Sequence, residues 1–396
     1  MDTNTRKPFK YIARTYARFN LEIVRGYGTR LWDKDGREYL DFTSGIAVCS
    51  LGHCNPAVVD AVREQAGKLF HVSNLYWTEP QLKVASMLVE NSCADRVFFC
   101  NSGAESVEAA IKLARKYGHD TRGPDCYEVI TLQDSFHGRT LAAITATGQP
   151  VYQRGFEPLP AGFTHVPRND IRSLKLATGK RTAAIMLEPI QGEGGVRPLD
   201  DAYLNAARDL ADRTGALLIF DEIQVGMGRT GTLFAYEQTP VKPDVICLAK
   251  GLANGLPIGA MLARESVMEH LGPGSHASTF GANPVACAAA GAVLDQLLHT
   301  DILEKVKDTG KYLHDRLAEV CRGWPAIRET RGRGLIQAVE FSVPQPNLAN
   351  WLIQEGFLTL VANGRILRLL PPFVIEKKEI DTFIQALERY RAESGS

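Results

Sequence analysis

Three chemically different groups follow three apolar, strand-like runs of the sequence. The first run leads into the glycine turn NSGAE (101–105), which opens a helical pattern. The second run, ALLIFDE (216–222), places Asp221 at its end, and the third, DVICLA (244–249), is followed directly by Lys250. The start of a helix offers free N–H groups to a phosphate. A buried acid needs a cationic partner, and a desolvated lysine can act as a nucleophile.

Each of these features has an ordinary structural explanation when it is taken singly. The turn can be a capping box, the acid can cap a turn or meet an arginine, and a buried lysine is most often salt-bridged. In combination they provide what pyridoxal 5′-phosphate needs. The turn anchors the phosphate, Asp221 keeps the pyridine nitrogen protonated, and Lys250 forms a Schiff base. The sequence therefore predicts a pyridoxal phosphate enzyme.

A competing signal is the run GMGRTG (226–231), which fits the G-x-G-x-x-G pattern of dinucleotide-binding loops. Such a loop follows its strand directly, opens a helix and precedes an acid by about 20 residues. Here DEIQV intervenes, the continuation TGTLFAYEQ is a poor helix start, and a lysine occupies position 250. An NAD-dependent oxidoreductase is thus the alternative from another enzyme class. It predicts no visible chromophore and no role for Lys250.

The elements that must position these groups form an alternating pattern of apolar runs and helical segments from about residue 50 to 300. The runs are short, rich in β-branched residues and apolar on both faces, which predicts a buried and mostly parallel sheet. They are RVFFC (96–100), YEVITL (127–132), AAIMLE (183–188), ALLIFDE (216–222), DVICLA (244–249) and IGAMLA (258–263). In such sheets ligands bind beyond the carboxyl ends of the strands, where the three groups lie.

Capping residues predict where several helices begin and end. Ser102 and Glu105 have the spacing of a capping box, and Gly118 is predicted to end the helix that they begin. Asn283 before a proline predicts the start of another helix. A second box at Asp301 predicts the start of a long helix near residue 300.

The pattern changes near residue 300 and predicts a smaller α+β unit. Strands such as GLIQAVEF (334–341) follow, and the chain ends in a charged amphipathic helix near 375–394. Near the N-terminus, alternating residues around the turn 34–36 predict a hairpin. The predicted fold is α/β, divided into an N-terminal segment (1–48) that joins the small domain, a large cofactor-binding domain (49–300) and a small C-terminal domain (301–396).

Composition restricts partners and location. Lys+Arg and Asp+Glu both total 45, so the formal charge is zero, which argues against nucleic-acid binding. The most apolar run, 285–294, is too short to span a membrane. The N-terminus does not resemble a secretory signal, and the eight cysteines form no C-x-x-C pair. We expect reduced thiols, no metal site and a cytoplasmic location.

Ordered motifs along nearly the whole chain resemble those of the class III (ω-amino-acid) aminotransferases, which have the aspartate-aminotransferase-like fold type I. The motifs are NSGAESVEAAIKLAR, SFHGRT, LEPIQGEGGV, IFDEIQVGMGRTG, LAKGLANGLPIGAM and STFGANP. Within the family, YGTRLWDKDGREYLDFTSGIAVCSLGHCNP and HVSNLYWTEPQ are most similar to members that act on N2-acetylornithine. The resemblance implies a pyridoxal phosphate fold with a large domain and a smaller α+β domain. It also implies a homodimer with active sites at its interface.

The resemblance also implies a role for each motif residue. Lys250 would hold the cofactor and move a proton during turnover, and Asp221 would pair with the pyridine nitrogen. The remaining contacts would come from Phe136 and Ile223 on the two ring faces, Gln224 at the ring oxygen, Ser102, Gly103 and Ala104 at the phosphate, and Thr279 at the phosphate of the partner subunit. Ala104 replaces a threonine that is common in the family, which removes one hydroxyl contact.

Three further motif residues would handle two different substrates. Arg139 matches the family position that binds a distal carboxylate, and Arg368 matches the position that binds the α-carboxylate of glutamate and 2-oxoglutarate. When acetylornithine reacts through its δ-amine, it offers no charge to Arg368, and an unpaired buried cation is costly. Glu193 matches the acid that masks this arginine and moves away for glutamate. These two arginines favour transamination over other pyridoxal phosphate reactions.

One position bears on substrate choice. Ornithine aminotransferases commonly have tyrosine where this chain has Ile46, and an apolar residue suits an acylated nitrogen. The expected reaction is therefore the acetylornithine step of arginine biosynthesis, with succinylornithine, succinyl-diaminopimelate and ornithine as alternatives. Asn55 replaces a family histidine, and the sequence offers no reason for that change. A non-catalytic relative would lack the lysine or the aspartate, and neither is lost.

Overall fold

The structure is a computed structural model that describes residues 11–393. Seventeen strands occur in this range. In chain order they are β1 (Ile23–Tyr27), β2 (Arg30–Asp33), β3 (Glu38–Asp41), β4 (Arg96–Cys100), β5 (Glu128–Leu132), β6 (Phe163–Val166), β7 (Thr182–Leu187), β8 (Ile190–Gln191), β9 (Arg197–Pro198), β10 (Leu217–Asp221), β11 (Val245–Leu248), β12 (Gly259–Ala263), β13 (Ile327–Arg333), β14 (Ile336–Phe341), β15 (Phe357–Leu358), β16 (Leu360–Ala362) and β17 (Ile366–Leu369).

Thirteen helical segments connect these strands within the described range. They are α1 (Ser44–Ala47), α2 (Pro56–Ala66), α3 (Glu79–Glu90), α4 (Gly103–Arg122), α5 (Leu141–Ala146), α6 (Pro150–Gln153), α7 (Ile171–Ala177), α8 (Asp201–Thr214), α9 (Glu265–Met268), α10 (Pro284–His299), α11 (Ile302–Cys321), α12 (Leu348–Gln354) and α13 (Lys377–Glu393). Single 3₁₀ turns cover Ala235–Gln238 and Lys250–Ala253.

The largest sheet has seven strands in the order β4-β12-β11-β10-β7-β5-β6. The strands β11, β10, β7, β5 and β6 run parallel to one another, whereas β12 is antiparallel to both of its neighbours. The predicted α/β class and the mostly parallel sheet are confirmed. The strand β6 was not predicted, because its sequence FTHV is short and contains no apolar run.

Strands at the centre of this sheet are buried on both faces, which explains their unbroken apolar sequences. Alternate residues of β10 point to opposite faces. Leu217 and Ile219 pack into the core formed with α4, whereas Leu218 and Phe220 pack into the core that includes α8 and α10. The sheet is therefore held rigidly between two helical layers, and its strand ends can position side chains accurately.

Helix boundaries agree with the capping residues except at one position. Ser102 Oγ accepts the Glu105 N–H at 3.2 Å, and Asn283 Oδ1 accepts the Ala286 N–H at 2.9 Å. The prediction that Gly118 ends its helix is wrong, because α4 continues to Arg122. A Cβ at Gly118 would lie 2.5 Å from the Cys126 carbonyl oxygen. This glycine permits close packing of the helix rather than its termination.

Two four-stranded sheets flank the large one, in the orders β1-β2-β3-β15 and β13-β14-β17-β16. The predicted N-terminal hairpin is present, since β2 and β3 pair in antiparallel fashion. Its strand β3 also pairs with β15 from the C-terminal part of the chain. The division of the chain at residues 48 and 300 stays a prediction. Residues 1–10 and 394–396 of the predicted terminal units lie outside the described residues.

None of the helices between residues 11 and 393 combines enough residues with enough apolar character to cross a bilayer.

Candidate active site

A cavity of about 460 Å³ lies at the carboxyl ends of the parallel strands. Segments that follow β4, β5, β7, β10 and β11 all contribute to its wall. The predicted site residues that line it are Ser102, Gly103, Ala104, Phe136, Arg139, Glu193, Asp221, Ile223, Gln224 and Lys250. The structure thus brings these residues, which are scattered in sequence, into one space. Thr279 and Arg368 do not line the cavity.

Asp221 is buried at the floor of the cavity and forms an ion pair there. Its Oδ2 lies 2.7 Å from Nδ1 of His137, and its Oδ1 accepts the Ile223 N–H at 3.1 Å. Burial alone would lower the pKa of His137, but the hydrogen bond and the charge of Asp221 raise it. A cationic imidazole of this kind holds Asp221 in place and stabilises its carboxylate.

Lys250 begins a 3₁₀ turn directly after β11, with a positive φ of 43°. A non-glycine residue in this region is uncommon, and such backbone strain concentrates at functional sites. Burial lowers the pKa of the Lys250 amine, the nearby Arg368 lowers it further, and Glu193 opposes the shift. A lower pKa leaves more of the amine in its nucleophilic form.

The start of α4 forms a cradle at one end of the cavity. The Glu105 and Ser106 N–H groups bond to Ser102, so the first N–H groups of the helix remain to face the cavity at Gly103 and Ala104. A Cβ at Gly103 would lie 2.9 Å from the Ile223 side chain. The cradle is therefore closed tightly against the segment that follows Asp221. Such a helix start suits a phosphate.

Glu193 and Arg368 form an ion pair at the opposite side of the cavity. Glu193 Oε1 lies 2.7 Å from an Arg368 guanidinium nitrogen, and the arginine side chain is 3% exposed. Gln224 joins both partners, since its amide lies 3.3 Å from Glu193 and 3.4 Å from Arg368. Burial would raise the pKa of Glu193, but the Arg368 charge lowers it. The pair therefore stays ionised.

Arg139 lies on the other wall in a different environment. It is exposed, and its guanidinium lies 3.9 Å from the centroid of the Tyr152 ring and 5.4 Å from that of Phe136. Among residues 11–393 it has no carboxylate partner within ion-pair distance. This arginine is therefore available to an anionic ligand.

Thr279 and Ile46 lie outside this cavity. Thr279 is exposed on the loop between α9 and α10. Ile46 is 42% exposed and has a positive φ of 68°, which is rare for a β-branched residue. In its vicinity Val48, rather than Ile46, lines the cavity.

Asn55 now has a clear role, because its side chain accepts the Val58 N–H and caps α2.

Sequence reasoning missed two buried residues of the cavity, His137 and Glu188. Glu188 follows β7 and accepts N–H groups from Phe136 and Gly192 at 3.0 and 3.2 Å. It is an acid at the end of a buried strand, as Asp221 is, so the same rule could have found it. His137 carries no such signal, because its contact with Asp221 spans 84 positions of the sequence.

The glycine run 226–231 has a structural role in this protein. It forms turns after β10 and contains Arg229, which is 1% exposed. The Arg229 guanidinium donates to the carbonyls of Leu335 and Pro371 at 3.0 and 2.6 Å and to Ser50 Oγ at 3.0 Å. Burial lowers the pKa of Arg229 to about 9. In the described structure the run leads into the single 3₁₀ turn Ala235–Gln238 and not directly into a longer helix, which removes the basis for a dinucleotide loop.

Comparison with known proteins accounts for this geometry. A family model described as aminotransferase class-III matches residues 11–390. The chain belongs to this family. The acetylornithine aminotransferase of Thermosynechococcus vestitus is 50% identical over 96% of this chain and 94% of its own length. The sequence resemblance to class III aminotransferases is thereby confirmed, and the protein is an aminotransferase.

Solved structures of class III aminotransferases share the fold as well. The N-acetylornithine aminotransferase of Stenotrophomonas maltophilia K279a is 39% identical, with a TM-score of 0.84 and 98% of both chains covered. An ornithine aminotransferase of Toxoplasma gondii, with PLP partially occupying its active site, is 35% identical. Its TM-score is 0.93, and 98% of this chain and 94% of that chain are covered. The predicted pyridoxal phosphate fold type I is confirmed.

Proposed function

We propose that this protein transfers the δ-amino group of N2-acetylornithine to 2-oxoglutarate, forming N-acetylglutamate 5-semialdehyde and glutamate in arginine biosynthesis. The observation that carries the proposal is the Glu193–Arg368 ion pair beside Lys250. While the ion pair is closed, its net charge is zero, which is compatible with the uncharged carbon chain of acetylornithine. When Glu193 moves away, the Arg368 cation becomes available to the α-carboxylate of glutamate. Named relatives at 50% and 39% identity support the same substrate.

The cofactor of this reaction is pyridoxal 5′-phosphate, and the residues of the cavity fit it. When bound, the cofactor would supply an electron sink for breaking a C–H bond on the carbon that carries the reacting amine, which is Cδ in acetylornithine and Cα in glutamate. The helix start at Ser102–Ala104 would hold the phosphate, and Asp221 would hold the ring nitrogen. Phe136 and Ile223 would contact the ring faces, and Gln224 would contact its oxygen.

Lys250 would attach the cofactor and then move the proton. Burial lowers its pKa, so a larger fraction of the free amine is unprotonated and can accept a proton. His137 holds the buried side chain of Asp221 in place at 2.7 Å, where Asp221 would pair with a protonated ring nitrogen. Lys250, His137 and Asp221 would serve both substrates, whereas Arg139 and Arg368 would determine which substrates bind.

Arg139 and Arg368 would bind carboxylates at different distances from the reacting carbon. Arg139 is exposed at the cavity and would bind the carboxylate of acetylornithine. Arg368 would bind the α-carboxylate of glutamate after Glu193 moves away. One cavity can then accept a δ-amine donor and an α-amine donor in turn.

The active form is proposed to be a homodimer. An exposed apolar patch consists of Phe70, Leu75, Tyr76, Trp77 and Phe280, each at least 60% exposed. Asn74 ties the two parts of this patch together, since its amide donates to the Ser278 and Gly281 carbonyls at 3.0 Å. A patch of this kind marks an association site, and Thr279 lies at its edge. A second copy docked here would receive Thr279 near its phosphate cradle.

A single-turnover absorbance experiment tests the proposed reaction. The purified holoenzyme is mixed separately with N2-acetylornithine, ornithine, N2-succinylornithine and glutamate while the visible band of the cofactor is followed. We expect fast bleaching by acetylornithine and glutamate, and recovery of the band after 2-oxoglutarate is added. Faster bleaching by ornithine or succinylornithine would show that this compound, and not acetylornithine, is the preferred substrate. A protein without such a band after incubation with the cofactor would overturn the assignment.

Sedimentation of wild type and Trp77→Asp tests the dimer. We expect a dimer for the wild type and a monomer with weaker cofactor binding for the variant. A monomeric wild type with full activity would overturn this part of the proposal.

The eight free thiols support the predicted reducing, cytoplasmic compartment.

A further inference from the structure

Two loops that carry the cavity's functional groups come from different strands. The aromatic loop (133–140) follows β5 and carries Phe136, His137 and Arg139. The acidic turn (192–196) lies between β8 and β9 and carries Glu193. Neither loop is part of a helix or a strand, so their relative position depends on the side chains that join them.

Glu188 joins these two loops inside the cavity. Its Oε2 accepts the Phe136 N–H at 3.0 Å, and its Oε1 accepts the Gly192 N–H at 3.2 Å. One carboxylate thus holds the backbone of the ring-stacking residue and the backbone next to Glu193. The side chain is buried, with the whole residue 5% exposed. Gln191 provides a second link farther out, because its amide donates to the Gln133 carbonyl at 2.8 Å.

The charge state of Glu188 decides how strong both bonds are. An ionised carboxylate accepts strongly at both oxygens, whereas protonation turns one oxygen into an O–H donor and makes it a weaker acceptor of an N–H. Burial raises the pKa of Glu188 to about 7. The charge of His137 opposes this shift, and the charge of Asp221 adds to it. The charged groups that face Glu188 are His137 and Asp221, and Lys250 is also within electrostatic reach.

We propose that Glu188 is a positioning residue that fixes the aromatic loop and the acidic turn relative to each other, and that it does so fully only when it is ionised. The proposal rests on the proposed function, because it assigns Phe136 to the cofactor and Glu193 to the substrate. It predicts that the cavity binds pyridoxal phosphate more tightly as pH rises through about 7. Below that pH one of the two loop contacts is weakened.

Glu222 provides a matched control in the same chain. It is also a buried acid that accepts two backbone N–H groups, from Ala235 and Tyr236 at 2.6 and 2.7 Å. Burial raises its pKa to about 8. However, Glu222 does not line the cavity, although it lies between Asp221 and Ile223. The two N–H groups that it accepts belong to Ala235 and Tyr236, outside the aromatic loop and the acidic turn. A variant at this position therefore reports the cost of losing a buried carboxylate without moving the two loops.

The test is a titration of the cofactor-free protein with pyridoxal phosphate between pH 6 and 8.5, followed by absorbance. Wild type, Glu188→Gln, Glu188→Asp and Glu222→Gln are compared. The amide of Glu188→Gln imitates the protonated acid, so we expect about tenfold weaker binding at pH 8 and no inflection near pH 7. Glu188→Asp keeps the charge but is too short to reach both N–H groups. We expect weaker binding with the inflection retained.

Glu222→Gln should keep the wild-type pH profile whatever its thermal unfolding temperature. Steady-state kinetics add a second readout, since misplaced loops should raise KM for both substrates more than they lower kcat. An inflection that persists in Glu188→Gln, or that disappears also in Glu222→Gln, would overturn the proposal. Wild-type protein that binds the cofactor but is not bleached by acetylornithine would overturn the proposed reaction, while the binding profiles still decide the role of Glu188.

Discussion

The two arginines proposed to bind substrate carboxylates, Arg139 and Arg368, lie in opposite environments. Arg368 lies on β17, is almost completely buried and is already paired with Glu193. Arg139 lies on an exposed loop over the Tyr152 and Phe136 rings. The first is compensated by an internal acid, whereas the second is left to solvent and to its ligand.

This difference follows from the cost of leaving each charge unpaired. A buried guanidinium without an anion is expensive, so Arg368 needs Glu193 whenever no substrate carboxylate is present. An exposed guanidinium over an aromatic ring is stabilised by water and by the ring face, so Arg139 needs no internal acid. Arg368 would bind only a substrate that displaces Glu193, whereas Arg139 would be accessible to the carboxylate of every substrate. The following variants test this distinction.

Lys250→Ala should have the largest effect, because both arginines serve the group that Lys250 holds. General acid–base catalysis by one group contributes about 10²–10⁴-fold, and the covalent link to the cofactor is lost as well. We expect a loss of at least three orders of magnitude for both substrates, with the thermal unfolding temperature preserved. Activity within tenfold of wild type would show that the arginines serve another centre.

Arg368→Ala should follow in size and act selectively. Removing one partner of a buried ion pair costs about 2–5 kcal/mol, which corresponds to roughly 30- to 4,000-fold. We expect this loss in the glutamate half-reaction and a much smaller one in the acetylornithine half-reaction. Stopped-flow absorbance measures each half-reaction separately. Arg368→Lys is the control that keeps the charge and loses the planar fork. Equal losses in both half-reactions would contradict a masked arginine.

Arg139→Ala should lower both half-reactions together, by about 10- to 100-fold, since losing a charged hydrogen bond costs about 1.5–3 kcal/mol. Both acetylornithine and glutamate present a carboxylate far from the reacting carbon. Because Arg139 is exposed, we expect no change in thermal unfolding, unlike Arg368→Ala. The measurement is kcat/KM for both donors. A loss of kcat/KM for only one donor would show that Arg139 is as selective as Arg368 and would contradict its proposed role with both donors.

Glu193→Ala should have the smallest effect, seen as a change in preference. Without its acid Arg368 is always unpaired, so glutamate binds without displacing a partner and acetylornithine meets an uncompensated cation. We expect the ratio of specificity constants to shift toward glutamate by about tenfold. The arginine holds the pKa of Glu193 down, so the shift should persist across neutral pH. If both constants fell equally, the masking role would be wrong.

The central sheet could be predicted from sequence because its strands are buried on both faces. Such strands leave continuous apolar runs, and these are what ALLIFDE and DVICLA display. The edge strand β6 leaves no such run, since its burial is partial. Gly118 was misjudged because glycine either ends a helix or allows close packing, and only the neighbouring Cys126 carbonyl decides between them.

The positions of Asp221 and Lys250 at one cavity were predictable, because each follows a recognisable buried strand. Their roles in turnover stay predictions. The site was not predictable where chemistry depends on distant pairs. Nothing in the sequence places His137 against Asp221, or Glu188 between two loops, because both contacts are made by tertiary packing. Their assigned roles in turnover stay predictions until the variants are measured.

The buried guanidinium of Arg229 has a consequence for how the protein is made. Its carbonyl partners belong to Leu335 and Pro371, which are synthesised long after Arg229 itself. Domains fold from the N-terminus during synthesis, yet this cation cannot be buried until nearly the whole chain has emerged. Lys250 and Asp221 can reach their strand ends earlier, while Arg368 is still missing. The Glu193–Arg368 pair and the buried Arg229 contacts therefore form only after the C-terminal strands have been synthesised.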